Sequence, residues 1–371
     1  MLKTFINAAD QVPATPALVV DLPTAQRNIQ RLADYARQHQ LQVRPHTKTH
    51  KSRLMARLQM EAGAYGLTVA KVGEAEVLAK ETTDLLVAYP AIDPVRTKRL
   101  AELARQMTLR VAVDSQAGLQ ALAQAAKAAG STIGILVDLD VGFHRTGVQT
   151  PQAALELARF VDSQAPALRL DGLFFYPGHV WAPAAEQEQE LHKVDALLSE
   201  AMTLWKAAGL QAKIVSGGST PAMLQSHQVK SQTETRPGTY IYNDMNTVRG
   251  NYCTLEDVAA AVVCTVVSTS VPGKAILDGG TKTFTSDRNF PAPDSGFGYI
   301  VEYPHARLAR MSEEHGELEF EANSPRPQVG ERVTVIPNHI CPCVNLHDQG
   351  WLQRPDGNLE PLPIDSRGRL T

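Results

Sequence analysis

Along the first two thirds of the chain, short apolar runs alternate with longer segments whose apolar residues have helical spacing. Several of the apolar runs, such as LLVAY at 85–89 and IGILV at 133–137, are continuous, which is typical of parallel strands buried on both faces. Candidate strands begin near Val43, Tyr65, Leu85, Leu109, Ile133, Leu170, Lys213 and Thr233. Eight strand–helix units in about 220 residues predict a (β/α)8 barrel. A doubly wound open sheet is the alternative, but its phosphate-binding glycine motif does not follow the first strand.

Two of the helices are predicted with definite limits. The segment from 190 to 209 has an apolar stripe at helical spacing that begins at Val194, and Gly209 is a candidate C-terminal cap. The segment from 24 to 39 has a similar stripe, formed by Ile29, Leu32, Ala33 and Ala36. Both segments are therefore predicted to be amphipathic helices that cover the sheet.

The pattern changes after Asn251. Segments rich in β-branched residues, such as RVTVIPNHI at 332–340, are separated by Gly, Pro, Asn and Asp clusters, and helical periodicity is scarce. We therefore predict two domains, a barrel over residues 1–250 and a mostly β domain over residues 251–371. Residues 1–22 are candidates for packing with the second domain instead of the first.

Composition and charge indicate an ordinary globular protein. The 36 Lys and Arg against 39 Asp and Glu give a formal net charge of −3, so neither nucleic acid nor an anionic membrane is predicted as a partner. No apolar run reaches the ~18 residues of a membrane span, and residues 1–16 lack the apolar core of a signal peptide. Four cysteines are too few for a disulfide framework in 371 residues. The expectation is a soluble cytoplasmic enzyme or small-molecule binder.

Polar clusters follow five of the predicted strands, and the carboxyl ends of barrel strands carry the active site. After the first strand comes RPHTKTHK at 44–51, in which Lys48 stands two residues from His46 and from His50. On a strand these three side chains share a face. Burial in a barrel mouth and the positive charge of Arg44 would lower the pKa of the Lys48 amine, and a neutral amine forms Schiff bases. A solvated basic loop is the alternative.

Two further clusters contain the groups that phosphate binding requires. SGGST at 216–220 follows the seventh predicted strand, and RPGTY at 236–240 follows the eighth. Glycines let backbone N–H groups approach a phosphate closely, and these two loops form the recurrent phosphate site of β/α barrels. A phosphate site opposite a Schiff-base lysine predicts pyridoxal 5'-phosphate as the cofactor.

In the C-terminal region, His339 and Cys341 have the spacing that places two side chains on one side of a strand. Imidazole and thiolate together suit zinc and other borderline first-row metals, and two protein ligands leave coordination positions open for a reaction. A buried cysteine beside a hydrogen-bonded histidine is the alternative explanation. Cys343, His347 and Asp348 are further candidate ligands.

Together these motifs resemble those of the D-threonine aldolase and D-serine dehydratase-like family of fold-type III pyridoxal-phosphate enzymes. The resemblance also covers TPALVVDL at 15–22, VDLDVGFHRTGV at 137–148, EEHG at 313–316 and PNHICPCVNLHD at 337–348. It therefore runs nearly end to end. It implies an alanine racemase-type barrel followed by a β domain, and it implies a homodimer.

The resemblance also assigns roles to residues. It places Lys48 at the Schiff-base position and Arg145 near the ring hydroxyl of the cofactor. The candidate cofactor-binding residues are Lys48, Arg145, Tyr176, Ser216, Gly217, Gly218, Ser219, Thr220, Gly238, Thr239 and Tyr240. It places a divalent metal, zinc or manganese, on His339 and Cys341.

The reaction stays open between two lyase activities on D-3-hydroxy amino acids. The aldolases of the family usually carry an aspartate two residues after the metal-binding histidine, and the dehydratases usually carry a cysteine. Cys341 therefore favours β-elimination of water, which yields a 2-oxo acid and ammonia. The flanking PNH and VNLHD, in contrast, are more similar to the aldolase branch, which releases glycine and an aldehyde.

The implied mechanisms differ in the proton that is removed. In elimination, Lys48 or a nearby base removes the Cα proton while the metal carries off hydroxide. In retro-aldol cleavage a base takes the hydroxyl proton, and His179 is the candidate for this role. A hydrogen-bonded loop histidine is the alternative for His179. An amino-acid racemase, which would need no metal, and a non-catalytic pyridoxal-phosphate-binding protein, which would resemble the barrel alone, also stay open.

Overall fold

The computed structural model of the protein describes Phe5 and residues 8–371. The chain forms two compact units. The barrel unit comprises Gln30–Lys48, Arg53–Gly238 and Gly368–Thr371, and the β unit comprises Met1–Ile29, Thr49–Ser52 and Thr239–Arg367. Of the segment 1–22, for which packing with the second domain is predicted, residues 1–4 and 6–7 lie outside the described part of the chain.

The strands are numbered along the chain. They are β1 (Ala17–Asp21), β2 (Gln42–Val43), β3 (Leu67–Val69), β4 (Asp84–Val87), β5 (Thr108–Val113), β6 (Ile133–Asp138), β7 (Leu168–Phe174), β8 (Ile214–Gly217), β9 (Glu234–Thr235), β10 (Ala260–Ser268), β11 (Lys274–Leu277), β12 (Gly298–Ile300), β13 (Arg307–Met311), β14 (Gly316–Glu319), β15 (Arg332–Pro337), β16 (Gln349–Gln353) and β17 (Leu359–Pro363).

The α-helices are numbered in the same way. They are α1 (Leu22–Gln38), α2 (Arg53–Glu61), α3 (Val72–Leu78), α4 (Pro94–Leu103), α5 (Gln116–Ala129), α6 (Pro151–Ser163), α7 (Glu188–Ala207), α8 (Met245–Arg249), α9 (Thr281–Phe284) and α10 (Ile340–Val344). The two helices predicted over 24–39 and 190–209 correspond to α1 and α7. No helix in the described part of the chain is both long enough and apolar enough to cross a membrane.

The eight strands of the barrel unit form a closed parallel barrel, as predicted. Their order is β2-β9-β8-β7-β6-β5-β4-β3, and every predicted strand corresponds to one of them. The two ends of this order meet at a parallel bridge between His46 and Thr68, where the Thr47 N–H donates to the Thr68 carbonyl at 2.9 Å. The carboxyl ends of all eight strands therefore lie at one edge.

The continuous apolar runs follow from burial on both faces of the strands. Inside the barrel, Leu136 belongs to a small cluster with Leu86, Ala112 and Phe174. Its neighbours Ile135 and Val137 belong to the larger cluster in which the helices pack on the strands. Helices α5 and α6 begin at hydroxyl caps, since Ser115 and Thr150 each accept a backbone N–H at the helix start.

The β unit contains a second sheet of nine strands. Seven of them follow the order β13-β14-β11-β10-β1-β16-β17, and β15 pairs with both β10 and β12. Strand β1 is antiparallel to β10 and parallel to β16. The core of this unit includes Val19, Ala261, Val263 and Ile336. The C-terminal region is therefore mostly β, as predicted.

Candidate active site

The Lys48 segment continues from its strand as a turn. Strand β2 ends before Pro45, and residues 47–50 form turns. The predicted strand face shared by His46, Lys48 and His50 is therefore wrong, because the ladder extends to His46 and the chain turns directly after it. The Lys48 side chain is partly buried.

Both histidines of this segment support the turn locally. His46 Nδ1 lies 3.4 Å from the Lys48 N–H, and His50 Nδ1 accepts the Ser52 N–H at 3.1 Å. Both rings are buried. The imidazoles therefore fix the backbone on either side of the lysine.

The positive charge of Arg44 is compensated within the barrel. The guanidinium is fully buried, and its Nε donates to Glu234 Oε1 at 2.8 Å. Its Nη1 donates to Asp84 Oδ1 at 2.5 Å. Two carboxylates therefore balance the positive charge of Arg44.

The loops after β8 and β9 leave backbone donors without partners. In the described part of the chain, the N–H groups of Gly218, Ser219 and Gly238 donate to no backbone or side-chain acceptor. Gly218 has a φ of +102°, and a Cβ there would lie 2.5 Å from Thr235 Oγ1, so a larger residue is excluded. Because β8 and β9 are neighbours, these donors lie on adjacent loops. Such a group of N–H donors suits a phosphate.

Side chains of the same loops have partners inside the protein. The Ser216 hydroxyl donates to Glu234 Oε1 at 2.6 Å, and the Ser219 hydroxyl accepts the Ala222 N–H at 3.3 Å. A Cβ at Gly217 would overlap the Phe175 ring. Thr220 and Tyr240 are buried. In these loops, therefore, the backbone offers the free donors.

The loop after β6 is held in shape by Asp140. Its Oδ1 accepts three backbone N–H groups at 3.0 Å, those of Gly142, Phe143 and His144. Burial opposes ionisation, but these bonds outweigh it and hold the pKa of Asp140 below its usual value. The loop brings two predicted cofactor residues together, since the Arg145 guanidinium lies 4.7 Å from the centre of the Tyr176 ring.

His179 presents a nitrogen without a partner. Among the described residues, none hydrogen-bonds to its buried Nδ1. Burial lowers the pKa of the imidazole below its usual 6.5, so the ring is neutral near pH 7. Gly142, with a φ of +121°, lies against the ring, and a Cβ there would be 3.2 Å from Nε2. His179 is therefore a neutral imidazole whose Nδ1 can accept or donate a hydrogen bond, depending on the tautomer.

Arg236 is a buried cation at the start of the predicted phosphate loop 236–240, and the sequence pattern assigns no role to its side chain. Its guanidinium lies 3.8 Å from the centre of the Phe174 ring, and its Nη2 donates to the Phe175 carbonyl at 2.6 Å. Its Nε has no hydrogen-bond partner in the described part of the chain. Burial lowers the pKa of Arg236 to about 10. Its position directly after the eighth strand is the signal that could have identified it.

In the β unit, His339 and Cys341 lie at the start of a helix. Strand β15 ends before them, and His339 is the N-terminal cap of α10. The predicted strand geometry of this pair is therefore wrong. Asp244 Oδ2 accepts the Ile340 N–H at 3.1 Å and thereby starts a helical turn. Cys341 nevertheless lies close enough to His339 to raise the pKa of its imidazole.

The sulfur of Cys341 lies among hydroxyl groups. Thr49 Oγ1 is 3.1 Å from Sγ, and Thr239 Oγ1 is 3.4 Å from it. Cys341 is 8% exposed. Thr239 is one of the predicted cofactor-binding residues, and its hydroxyl contact with this sulfur is not predictable from the sequence pattern.

Two carboxylates face His339. Asp244 is buried, and Asp287 Oδ1 lies 4.0 Å from His339 Nδ1. Burial alone would lower the pKa of His339, but Cys341 and these carboxylates outweigh it and raise the pKa to about 9. Among the described residues, no group of three or more His, Cys, Asp or Glu side chains could hold a metal ion.

The remaining candidate ligands have structural partners. Cys343 Sγ donates to the Thr283 carbonyl at 3.2 Å, and burial raises the pKa of this thiol. His347 Nε2 lies 3.3 Å from the same carbonyl. Asp348 pairs with Arg367 at 2.9 Å. These three residues are therefore separate from the pair His339 and Cys341.

The fold defines a class of enzymes with a β/α barrel followed by a mostly β domain. The chain matches the family described as "Alanine racemase, N-terminal domain" over residues 20–246 and the one described as "Putative serine dehydratase domain" over residues 259–352. The chain belongs to the first of these families, whose fold-type III members use pyridoxal 5'-phosphate.

Similar proteins span nearly the whole chain. D-threo-3-hydroxyaspartate dehydratase of Delftia sp. (strain HT23) is 33% identical over 88% of this chain and 90% of its own length. The crystal structure of D-threonine aldolase from Filomicrobium marinum is 31% identical and superposes with a TM-score of 0.89, over 96% of this chain and 97% of that one. A cysteine-to-alanine mutant of D-threo-3-hydroxyaspartate dehydratase in the metal-free form is 29% identical, with a TM-score of 0.87 over 95% and 97%.

Proposed function

We propose that this protein is a pyridoxal-phosphate-dependent lyase that eliminates water from D-3-hydroxy amino acids with the help of a divalent cation. The observation that carries the proposal is the set of unpartnered N–H groups at Gly218, Ser219 and Gly238, in the same barrel as Lys48. The similarity to dehydratases and aldolases over nearly the full length supports the lyase class and the D-configured hydroxy amino acid as substrate.

The barrel residues fit the cofactor. The free N–H groups would hold its phosphate, and Lys48 would hold it through the side-chain amine. Arg145 would lie near its ring hydroxyl, with Tyr176 beside it, and the unpartnered Arg236 Nε offers one more donor. When bound, the cofactor supplies the electron sink for bonds at the α-carbon of the substrate.

The donor set of His339 and Cys341 fits a zinc-like cation. Imidazole and thiolate are ligands that borderline first-row metals prefer, and two ligands leave positions for substrate and water. A cation there supplies Lewis-acid chemistry to a hydroxyl oxygen. Cys341 supports the dehydratase reaction, because the solved metal-free dehydratase is a mutant in which a cysteine is replaced.

Retro-aldol cleavage is the second candidate, and His179 favours it. That reaction needs a base for the substrate hydroxyl, and His179 has a lowered pKa and an unpartnered Nδ1. The same imidazole is compatible with elimination, where it would orient the hydroxyl. The products therefore decide between the two reactions.

The deciding experiment is product analysis with D-threonine and with D-threo-3-hydroxyaspartate, after chelation and after zinc or manganese is added back. We expect a 2-oxo acid and ammonia, with turnover lost on chelation and restored by metal. Glycine and an aldehyde would instead establish the aldolase. The L-amino acid as product would establish a racemase, and turnover that survives complete metal removal would contradict the proposed role of the cation.

Two cysteine variants test the metal site itself. Cys341→Ala should lose bound metal and activity while cofactor absorbance near the visible edge stays. Cys343→Ala is the matched control, because its thiol is bound to the Thr283 carbonyl, and it should keep its metal. Equal metal content in both variants, measured by elemental analysis, would show that Cys341 is structural.

Lys48→Ala tests the attachment of the cofactor. This variant should lose the cofactor absorbance near the edge of the visible range, and a retained absorbance band would contradict the role of Lys48.

A further inference from the structure

We propose that Thr49 and Thr239 are positioning residues for the sulfur of Cys341, and that their hydroxyl groups orient this sulfur toward a divalent cation. The inference rests on the proposed metal site at His339 and Cys341. It goes beyond that site because it assigns a role to two residues that are not themselves ligands.

The first argument is the geometry around the sulfur. Thr49 Oγ1 lies 3.1 Å and Thr239 Oγ1 lies 3.4 Å from Cys341 Sγ. Thr49 is completely buried and Cys341 nearly so, which leaves little room for water to replace either hydroxyl. Two hydroxyl groups from distant parts of the chain thus contact one sulfur atom.

The second argument is the contrast with the other cysteine of the same helix. The partner of Cys343 is the Thr283 carbonyl oxygen, which can only accept a hydrogen bond, so the Cys343 thiol must be the donor. The Thr49 and Thr239 hydroxyl groups beside Cys341 can each donate a hydrogen bond to its sulfur. The carbonyl partner of Cys343 cannot donate to the sulfur of that residue.

The third argument is what such donors do at a metal centre. Groups that hydrogen-bond to a ligand fix its orientation, and their removal typically weakens metal affinity about 10–100-fold. Hydrogen bonds to a ligating sulfur also tune the electron density that it donates to the metal. Removing the hydroxyl groups should therefore change both affinity and the electronic spectrum of the bound metal.

Cobalt(II) is a suitable probe, because a cobalt–thiolate bond produces a charge-transfer absorption band. The protein is stripped of metal and titrated with cobalt(II), and the dissociation constant and band position are compared among variants. For Thr49→Val and Thr239→Val we expect a dissociation constant raised about 10-fold or more and a band shifted to longer wavelength. Thr49→Ser and Thr239→Ser keep the hydroxyl and should restore the wild-type band.

A third threonine provides the control. Thr283 is buried in the same unit, and its contact with Cys343 uses its carbonyl, so Thr283→Val should leave cobalt binding unchanged. Wild-type affinity and band position in both Thr49→Val and Thr239→Val would overturn the inference, provided that circular dichroism shows them folded. If the wild-type protein shows no cobalt–thiolate band, or if Cys341→Ala keeps it, the proposed metal site fails and the inference fails with it.

Discussion

At the scale of single residues, Asp138 shows how strongly the barrel alters a side chain. It is 6% exposed at the end of β6, and burial raises the pKa of its carboxyl from 3.8 to about 6. Thr146 Oγ1 donates to it at 2.8 Å, which opposes the shift without cancelling it. The native protein therefore holds this carboxyl protonated at pH values where the unfolded chain has it ionised.

This linkage predicts how stability depends on pH. The contribution of protonated Asp138 to the free energy of unfolding is fully present below about pH 4. It is lost as pH rises through the folded-state pKa of about 6. Asp138→Asn removes this loss. The free energy of unfolding of the variant should equal that of the wild type near pH 4 and exceed it by up to about 3 kcal/mol at pH 8. Urea unfolding at the two pH values measures this difference.

The exposed Asp162 on α6 is the matched control for that measurement. Asp162→Asn makes the same carboxylate-to-amide change at an exposed position and should alter the free energy of unfolding by less than about 0.5 kcal/mol. If the Asp138→Asn difference does not grow with pH, the carboxyl is ionised in the native state throughout, and the assignment of burial as the dominant effect is wrong.

At the scale of elements, Glu234 joins three strands. It lies on β9, accepts from Arg44 after β2 and from Ser216 on β8, and is 2% exposed. Since β2, β9 and β8 are consecutive in the barrel, one carboxylate links the segment before Lys48 to the segment before the free N–H groups. The Glu234 side chain thus connects the strand that precedes Lys48 with the strand that precedes Gly218.

Removing the negative charge of Glu234 should lower the free energy of unfolding. Glu234→Gln leaves the buried Arg44 with Asp84 alone, and breaking a buried ion pair typically costs about 3–5 kcal/mol. Glu76→Gln is the matched control, because Glu76 also forms a bidentate pair with an arginine, Arg99, but at the surface. It should cost about 0–1 kcal/mol. Chemical denaturation of the two variants compares them directly, and equal losses would refute the special role of Glu234.

At the scale of the whole molecule, the barrel was predictable because its signal is local. A run such as IGILV at 133–137 is apolar throughout, since alternate residues face the barrel interior and the helices. Each strand therefore carries its own evidence of burial. The second sheet was predictable for a related reason, because its β-rich segments are separated by turn-forming residues.

The local geometry of the sites was not predictable, because distant residues determine it. The helix that begins after His339 depends on Asp244, which lies 96 residues before Ile340. The hydroxyl groups at Cys341 come from Thr49 and Thr239, at separations of 292 and 102 residues. The spacing of His339 and Cys341 in the sequence carries no information about such distant partners. The sequence therefore predicted a strand where the structure has the start of a helix.

The way in which the barrel closes has a consequence for motion. Strand β6 pairs with β7 over six residue pairs, whereas β2 pairs with β9 over two and meets β3 at a single bridge. Backbone hydrogen bonds from Tyr65 to Val43, from Thr68 to Pro45 and from Thr47 to Thr68 close this seam. The seam is still shorter than the pairing of β6 with β7, so local opening should begin there. Lys48 follows the seam directly in the chain.

Hydrogen–deuterium exchange should reveal this weak seam. In the protein without cofactor, the amides of His46, Thr47 and Thr68 should exchange faster than those of Val111 and Val137, which lie in longer strand pairings. Attachment of the cofactor to Lys48 should slow the first group selectively. Uniform exchange across all eight strands would contradict this. Selective slowing would show that the segment carrying the lysine is a hinge whose motion the bound cofactor restricts.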